Sequence, residues 1–238
     1  MLTMCPRQIA RFLAAALLTT CGLLSAPITI AAAQACPDVE AVFARGTSEP
    51  PGVGGVGETF VGQLRSAVGD KSLDVYPVNY EASSNFSDRL QFAQSVVDGI
   101  RDAGGHIEAT AANCPKTRIV LGGFSQGAAV AGFVTSASIP AGIPAEYVQF
   151  LPKPMPPEIA DHVAAVTLFG TPSAQWLQNY GAPAITIGPL YAPKTLELCA
   201  PGDTICNGDA GGTPSIAHAE YPMNGMTAQA ANFAASHL

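Results

Sequence analysis

The sequence predicts an α/β protein built on a mainly parallel sheet, and three observations carry that expectation. Short apolar runs of strand length recur along the chain, helix-like stretches separate them, and a Gly-x-Ser-x-Gly turn joins one strand directly to one helix. Alternating strands and helices pair in parallel, because each helical crossover returns the chain to the same end of the sheet. Ligands of such sheets bind outside the carboxyl ends of the strands, so residues just after a strand are the ones to test for chemistry.

The elements follow in order. Val39–Ala44 is a buried strand. Gly52–Gly57 is rich in glycine and follows Pro50 and Pro51; it lacks the strand-turn-helix spacing of a phosphate cradle and reads as a flexible connection. A helix is expected near Glu58–Val68 and a second strand at Leu73–Val78. From Ser84 to Ala103, Phe86, Leu90, Ala93, Val97 and Ile100 fall at three- and four-residue steps, which predicts a helix with Ser87 and Asp88 available to cap its start. Thr117–Gly122 is the third strand. It leads through Gly123-Phe124-Ser125-Gln126-Gly127 into a helical run, Ala128–Val134. Pro140–Pro157 reads as irregular connection. Val163–Gly170 and Thr195–Cys199 complete five strands, and Gly225–Ser236 is a closing helix.

The chain has 238 residues, 48% of them hydrophobic and 12% charged, which fits one packed domain behind a leader. Arg7 and Arg11 precede an apolar run from Phe12 to Leu24, and Ala33-Gln34-Ala35 is a small-x-small cleavage site. Residues 1–35 are therefore expected to be a secretory signal peptide and 36–238 the mature domain, with an uncleaved membrane anchor as the rival reading. The net charge of −7 and the lack of a basic stripe argue against a nucleic-acid partner.

Beyond the leader the cysteines are Cys36, Cys114, Cys199 and Cys206, an even set of the kind that forms disulfides in exported chains. Three pairings are possible. Cys199 and Cys206 can close a tight loop, which leaves Cys36 with Cys114. No Cys-x-x-Cys pair is present to suggest zinc.

The strand-turn-helix setting makes Ser125 a candidate nucleophile, exposed at a strained corner beside a helix N-terminus. A serine hydroxyl needs a base within hydrogen-bond reach and a third group to orient that base. In this motif class the order is Ser, then an acid, then His. His106 precedes the serine, His162 sits at the wrong end of a strand, and His237 is penultimate. His218, in a loop after the fifth strand, is the best base. Asp203, directly after that strand and between Cys199 and Cys206, is the best acid, against a rival reading as a turn residue in Pro201-Gly202-Asp203. Oxyanion donors are expected from the backbone of Gln126 and from Thr47 in the loop after the first strand. Tyr80, Phe86, Ile205, Pro214 and Ile216 are candidates for an apolar substrate mouth.

With these residues assembled, the chain resembles the cutinase family of serine esterases along essentially all of its mature length. Arg45-Gly46-Thr47 is similar to the family's oxyanion segment, Gly123-Phe124-Ser125-Gln126-Gly127 to its elbow, Gly202-Asp203-x-Ile205-Cys206 to its acid loop, and His218-x-x-Tyr221 to its base segment. Cys36 and Cys114 occupy the family's first disulfide positions. The flavour is that of the secreted cutinase-like proteins of mycobacteria and related actinobacteria.

The resemblance implies a small three-layer α/β/α hydrolase with an open site. It implies ester hydrolysis through an acyl-enzyme, with no cofactor and no metal. Ser125, Asp203 and His218 carry over as the triad, and Thr47 and Gln126 as the oxyanion hole. Asn207–Gly212 is polar and glycine-rich where fungal members are more apolar, which points away from cutin itself. The expected substrates are short- to medium-chain fatty acyl esters or lipids, for a monomer secreted and associated with lipid surfaces or the cell wall. The rivals are an acetylxylan esterase-type deacetylase and a non-catalytic surface binding protein.

Overall fold

Val39–Ala44 (β1) is buried along its whole length. The structure, a computed structural model, describes residues 35–209 and 213–238. The leader expected at 1–35, apart from Ala35, lies outside the described residues. After β1 come Gly54–Ala67 (α1), Leu73–Pro77 (β2), Arg89–Asn113 (α2), Arg118–Phe124 (β3), Gln126–Val134 (α3), Ala145–Val148 (α4), Val163–Phe169 (β4), Ala174–Asn179 (α5), Thr195–Leu198 (β5) and Met226–Ala235 (α6). The five strands pair in the order β2-β1-β3-β4-β5, and every pairing is parallel.

Side-chain alternation along the strands builds the two faces. Val42 and Ala44 of β1 and Leu121 of β3 pack with Ala103 and Ile107 of α2 and Val130 of α3. Ala41 and Phe43 of β1 point the other way, to Phe60 and Leu64 of α1 and Ala230, Ala231 and Ala234 of α6. The result is a three-layer α/β/α sandwich with two apolar cores.

α4 forms inside the Pro140–Pro157 stretch read as irregular connection and α5 in a stretch given no element, and two helices have bounds more than two residues from the sequence reading, each for a visible reason. Gly54, Gly55 and Gly57 belong to the first turn of α1 and not to a flexible connection. The Glu49 carboxylate accepts the backbone N–H of Gly55 at 2.8 Å, supplying the acceptor that the start of a helix lacks. A Cβ at Gly57 would lie 2.7 Å from the Phe43 ring, so the helix packs this close to the sheet only on glycine. The second difference is α2, which begins later and runs on to Asn113. Asp88 is its cap, accepting from the Gln91 N–H at 3.0 Å. Gly104 and Gly105 do not end it, because Ala103, Ile107 and Ala111 continue the buried stripe beyond them.

Disulfides join Cys36 to Cys114 and Cys199 to Cys206. The first ties the approach to β1 to the end of α2. The second encloses the turn after β5 that carries Asp203.

Candidate active site

The corner between β3 and α3 is tight enough to dictate its sequence. A Cβ at Gly123 would lie 2.1 Å from the Gly127 carbonyl oxygen, and one at Gly127 would lie 2.0 Å from that of Ala44. Both positions accept only glycine. Between them Ser125 takes φ +56° and ψ −117°, a conformation rare for a residue with a side chain and held here by the packing around it. Its N–H donates to the Phe169 carbonyl at 2.9 Å, which fixes the turn to β4.

Ser125 Oγ lies 2.8 Å from Nε2 of His218. His218 is buried on a short 3₁₀ turn, Ile216–Ala219, with the Phe124 ring 4.9 Å from its own. Gly170 passes close on another side; a Cβ there would lie 3.0 Å from His218 Cε1. Nδ1 of His218 meets both carboxylate oxygens of Asp203 at 2.9 Å. Three side chains far apart in sequence thus form one continuous chain of hydrogen bonds.

Asp203 is completely buried. Burial opposes its ionisation, but bonds from His218, from the Tyr221 hydroxyl at 2.7 Å and from the Ile205 N–H at 3.0 Å outweigh it and hold the carboxyl below its usual value. An ionised Asp203 accepts the proton on Nδ1, which leaves Nε2 as the lone-pair nitrogen facing the serine hydroxyl. Tyr221 is itself fully buried, and burial first, then the neighbouring Asp203, pushes its phenol upward, so it stays neutral and donates. Its oxygen also accepts the Ala200 N–H at 3.0 Å. The sequence motif contains Tyr221, but its task at the acid is visible only in three dimensions.

Thr47 sits in the turn after β1 and lines the same cavity as Ser125, Gln126 and His218. That turn is anchored by the buried Arg45 guanidinium. Its Nε donates to the Glu49 carbonyl at 2.8 Å, and Nη2 donates to the carbonyls of Tyr80 and Glu81 at 2.5 and 3.2 Å. Gln126 opens α3, so its backbone N–H has no partner within the helix. Its side chain is buried and donates to the Ser83 carbonyl at 3.2 Å.

Of the five mouth candidates, Phe86, Ile205 and Pro214 line the cavity beside Ser125. Tyr80 and Ile216 do not. Tyr80 is buried in the core, its ring 5.0 Å from the Arg45 guanidinium carbon and its hydroxyl donating to the Arg45 carbonyl. It braces the loop of Thr47. Ile216 is 82% exposed and outside the cavity lining, because the turn that buries His218 turns its neighbour outward. Sequence reasoning missed Trp176, Leu177 and Tyr180 of the short α5 region, which supply cavity wall. The available signal was the chain's single tryptophan behind a capping serine, Ser173.

Among the described residues, one group has metal-type donors close together: Cys199, Asp203 and Cys206. Both cysteines are committed to a disulfide and the carboxylate to its three donors, so the group presents no thiolate for a metal.

A fully parallel sheet covered on both faces, with the serine on a strand-to-helix elbow and acid and imidazole following in that order, defines an α/β hydrolase. The chain belongs to the Cutinase family, which it matches over residues 35–238, and is a carboxylic ester hydrolase of that family. It is 62% identical over 173 residues to the "Probable carboxylesterase Culp7" of Mycobacterium tuberculosis, covering 73% of this chain and 89% of that one. Carboxylesterase Culp1 of the same organism is 46% identical over 239 residues, covering 99% and 98%. Among solved structures, Trichoderma reesei cutinase in complex with a C11Y4 phosphonate inhibitor superposes with a TM-score of 0.60 at 29% identity, covering 85% of this chain and 77% of that one.

Proposed function

We propose that the protein is an exported serine esterase acting on fatty acyl esters of short to medium chain length, or on lipids, with Ser125 as nucleophile, His218 as base and Asp203 as the acid that orients it. The observation that carries this reading is the unbroken series Ser125 Oγ–His218 Nε2–Asp203, at 2.8 and 2.9 Å.

Nε2 of His218 takes the hydroxyl proton as Ser125 Oγ forms a bond to the ester carbonyl carbon. Asp203 stabilises the imidazolium that results. The backbone N–H of Gln126, with Thr47 opposite, donates to the developing oxyanion. Collapse of the tetrahedral intermediate breaks the bond to the alcohol, which leaves with the proton from Nε2. Water then repeats the sequence on the acyl-serine, giving its proton to His218, and the carboxylic acid is released.

The apolar wall formed by Phe86, Trp176 and Leu177 favours an acyl chain over a bare acetyl group. Ile216 and Met223, 82% and 81% exposed, together with Leu90 and Phe150 at the cavity, offer apolar contact to a lipid surface. The two disulfides fit an oxidising compartment, which supports reading 36–238 as a secreted domain freed of residues 1–35. The test is hydrolysis of p-nitrophenyl butyrate by wild type and Ser125→Ala. A folded Ser125→Ala protein is expected to lose turnover by at least three orders of magnitude; wild-type rates from it would refute the assignment.

A further inference from the structure

Three of the four amides in Gly46-Thr47-Ser48-Glu49, the turn after β1, are committed. The Gly46 N–H donates to Oε2 of Glu49 at 2.6 Å, the Ser48 N–H to the Ala82 carbonyl at 2.8 Å, and the Glu49 N–H to the Gly46 carbonyl at 3.3 Å. Thr47 is the exception. Its N–H and its hydroxyl form no hydrogen bond among the described residues, and it lines the cavity that holds Ser125 and Gln126.

Glu49 therefore clasps Gly46 from both sides, accepting its N–H and donating to its carbonyl. Gly46 has no side chain to restrict it, so the peptide that bears the Thr47 N–H turns freely unless the glycine is held. The grip is firm. N–H bonds to a carboxylate are about twice as strong as neutral ones. Oε1 of Glu49 accepts the Gly55 N–H at 2.8 Å, which anchors the same side chain to α1. The Glu49 carbonyl accepts Arg45 Nε at 2.8 Å. A Cβ at Gly46 would lie 3.2 Å from Glu49 Oε2 and 2.7 Å from the Phe124 ring, so the carboxylate seats this closely only on glycine.

The other side of Thr47 is held by strained backbone. Among the described residues, three other than glycine take positive φ: Ser48, Ala82 and Ser125, at +60°, +54° and +56°. Such residues persist where surrounding contacts over-determine them. Ser48 and Ala82 are bonded to each other, and the next residue, Ser83, accepts the Gln126 side chain at 3.2 Å. Ala82 thus takes the amide after Thr47 and Glu49 the amide before it.

We propose that Glu49 is a positioning residue for ester hydrolysis: its clasp on Gly46 aims Thr47, the free donor of the turn, at the oxyanion. The proposal rests on the esterase reading above and adds a residue to it. Glu49 makes no hydrogen bond to Ser125, His218 or Asp203 among the described residues, so it acts through the turn and not through the triad. The donor it aims matters most when charge develops on the carbonyl oxygen, so its loss lowers kcat and spares KM.

Glu49→Gln keeps the volume of the side chain but sets an NH₂ group against one of the two N–H donors, and Glu49→Ala removes both bonds. Wild type and both variants are compared in thermal midpoint, in kcat and KM for p-nitrophenyl butyrate, in the pH profile of kcat/KM, and in inhibition by an alkyl trifluoromethyl ketone and by the methyl ketone of equal length. The carbonyl carbon of the trifluoromethyl ketone bonds to Ser125 Oγ as His218 takes the hydroxyl proton, and its oxygen becomes the oxyanion; the methyl ketone stays a ground-state ligand. In Glu49→Gln, kcat is expected to fall at least about tenfold, short of the roughly 10²–10³ lost with an oxyanion donor itself, with KM within about twofold. The inhibition constant of the trifluoromethyl ketone rises by the same factor and that of the methyl ketone stays within about twofold, while the acid limb of the profile, which reports His218, does not move. Glu49→Ala loses more; if it does not fold, Glu49→Gln decides. A folded Glu49→Gln protein with a smaller loss of kcat, with both ketones weakened alike, or with a displaced acid limb overturns the proposal and leaves the esterase reading standing. Wild type that neither hydrolyses esters nor binds the trifluoromethyl ketone refutes the esterase reading, and this inference with it.

Discussion

The hydroxyl of Tyr221 donates to Oδ2 of Asp203 at 2.7 Å, and the tyrosine oxygen itself accepts the Ala200 N–H at 3.0 Å and lies 3.5 Å from the sulfur of Cys206. The tyrosine therefore links the acid to the end of β5 and to the loop disulfide. Tyr221→Phe keeps the ring and removes one bond to a buried carboxylate, an interaction of about 1.5–3 kcal/mol. kcat/KM for p-nitrophenyl butyrate is expected to fall on the order of tenfold or more, mainly in kcat. With one lowering bond gone, the Asp203 carboxyl rises, so the acid limb of the rate profile changes too. A purely structural role would lower stability and leave the shape of that profile unmoved.

Asp203→Asn tests the orienting role directly. The amide cannot stabilise an imidazolium and favours the wrong imidazole tautomer, so a loss on the order of 10⁴ in kcat is expected with the fold retained. Activity within tenfold of wild type would mean that another group serves His218.

The depressed carboxyl of Asp203 also sets a pH dependence of stability. Its folded value lies below its unfolded value, so the stabilisation is fully present above the unfolded value, near about 3.9, and fades as pH falls through the folded one. Thermal midpoints of wild type and Asp203→Asn, followed from pH 7 downward, should keep a constant gap to about pH 4.5 and converge below it. A gap that widens in acid would reverse the sign of this argument.

The Cys199–Cys206 bond encloses the acid loop. Replacing both cysteines by alanine should cost roughly 2–3 kcal/mol, the amount a short closed loop contributes. It should also lower kcat, since Asp203 and Tyr221 lose a common support. A variant with a lower thermal midpoint and unchanged kcat would assign the disulfide to stability alone.

Much of this was legible in the sequence because it is local. Five apolar runs of strand length, and a Gly-x-Ser-x-Gly between a strand and a helix, fix a parallel α/β sheet and its elbow wherever they occur. What escaped depends on contacts across the fold. Gly54, Gly55 and Gly57 read as loop until Glu49 supplies the helix start with an acceptor. Tyr80 reads as a mouth residue because it is aromatic and follows a strand; its burial beneath Arg45 depends on a partner 35 positions away. The hydroxyl bond of Tyr221 to Asp203 is likewise a property of packing, which no spacing rule encodes.

The most direct measurement is covalent labelling. Wild type, Ser125→Ala and His218→Ala are treated with a p-nitrophenyl alkylphosphonate, and intact mass and peptide mapping locate the adduct. The account predicts one adduct per wild-type chain, on the peptide carrying Ser125, with none on Ser125→Ala and slow labelling of His218→Ala. Folded wild-type protein that takes no label, or a label carried on another residue while p-nitrophenyl esters are still hydrolysed, would contradict it.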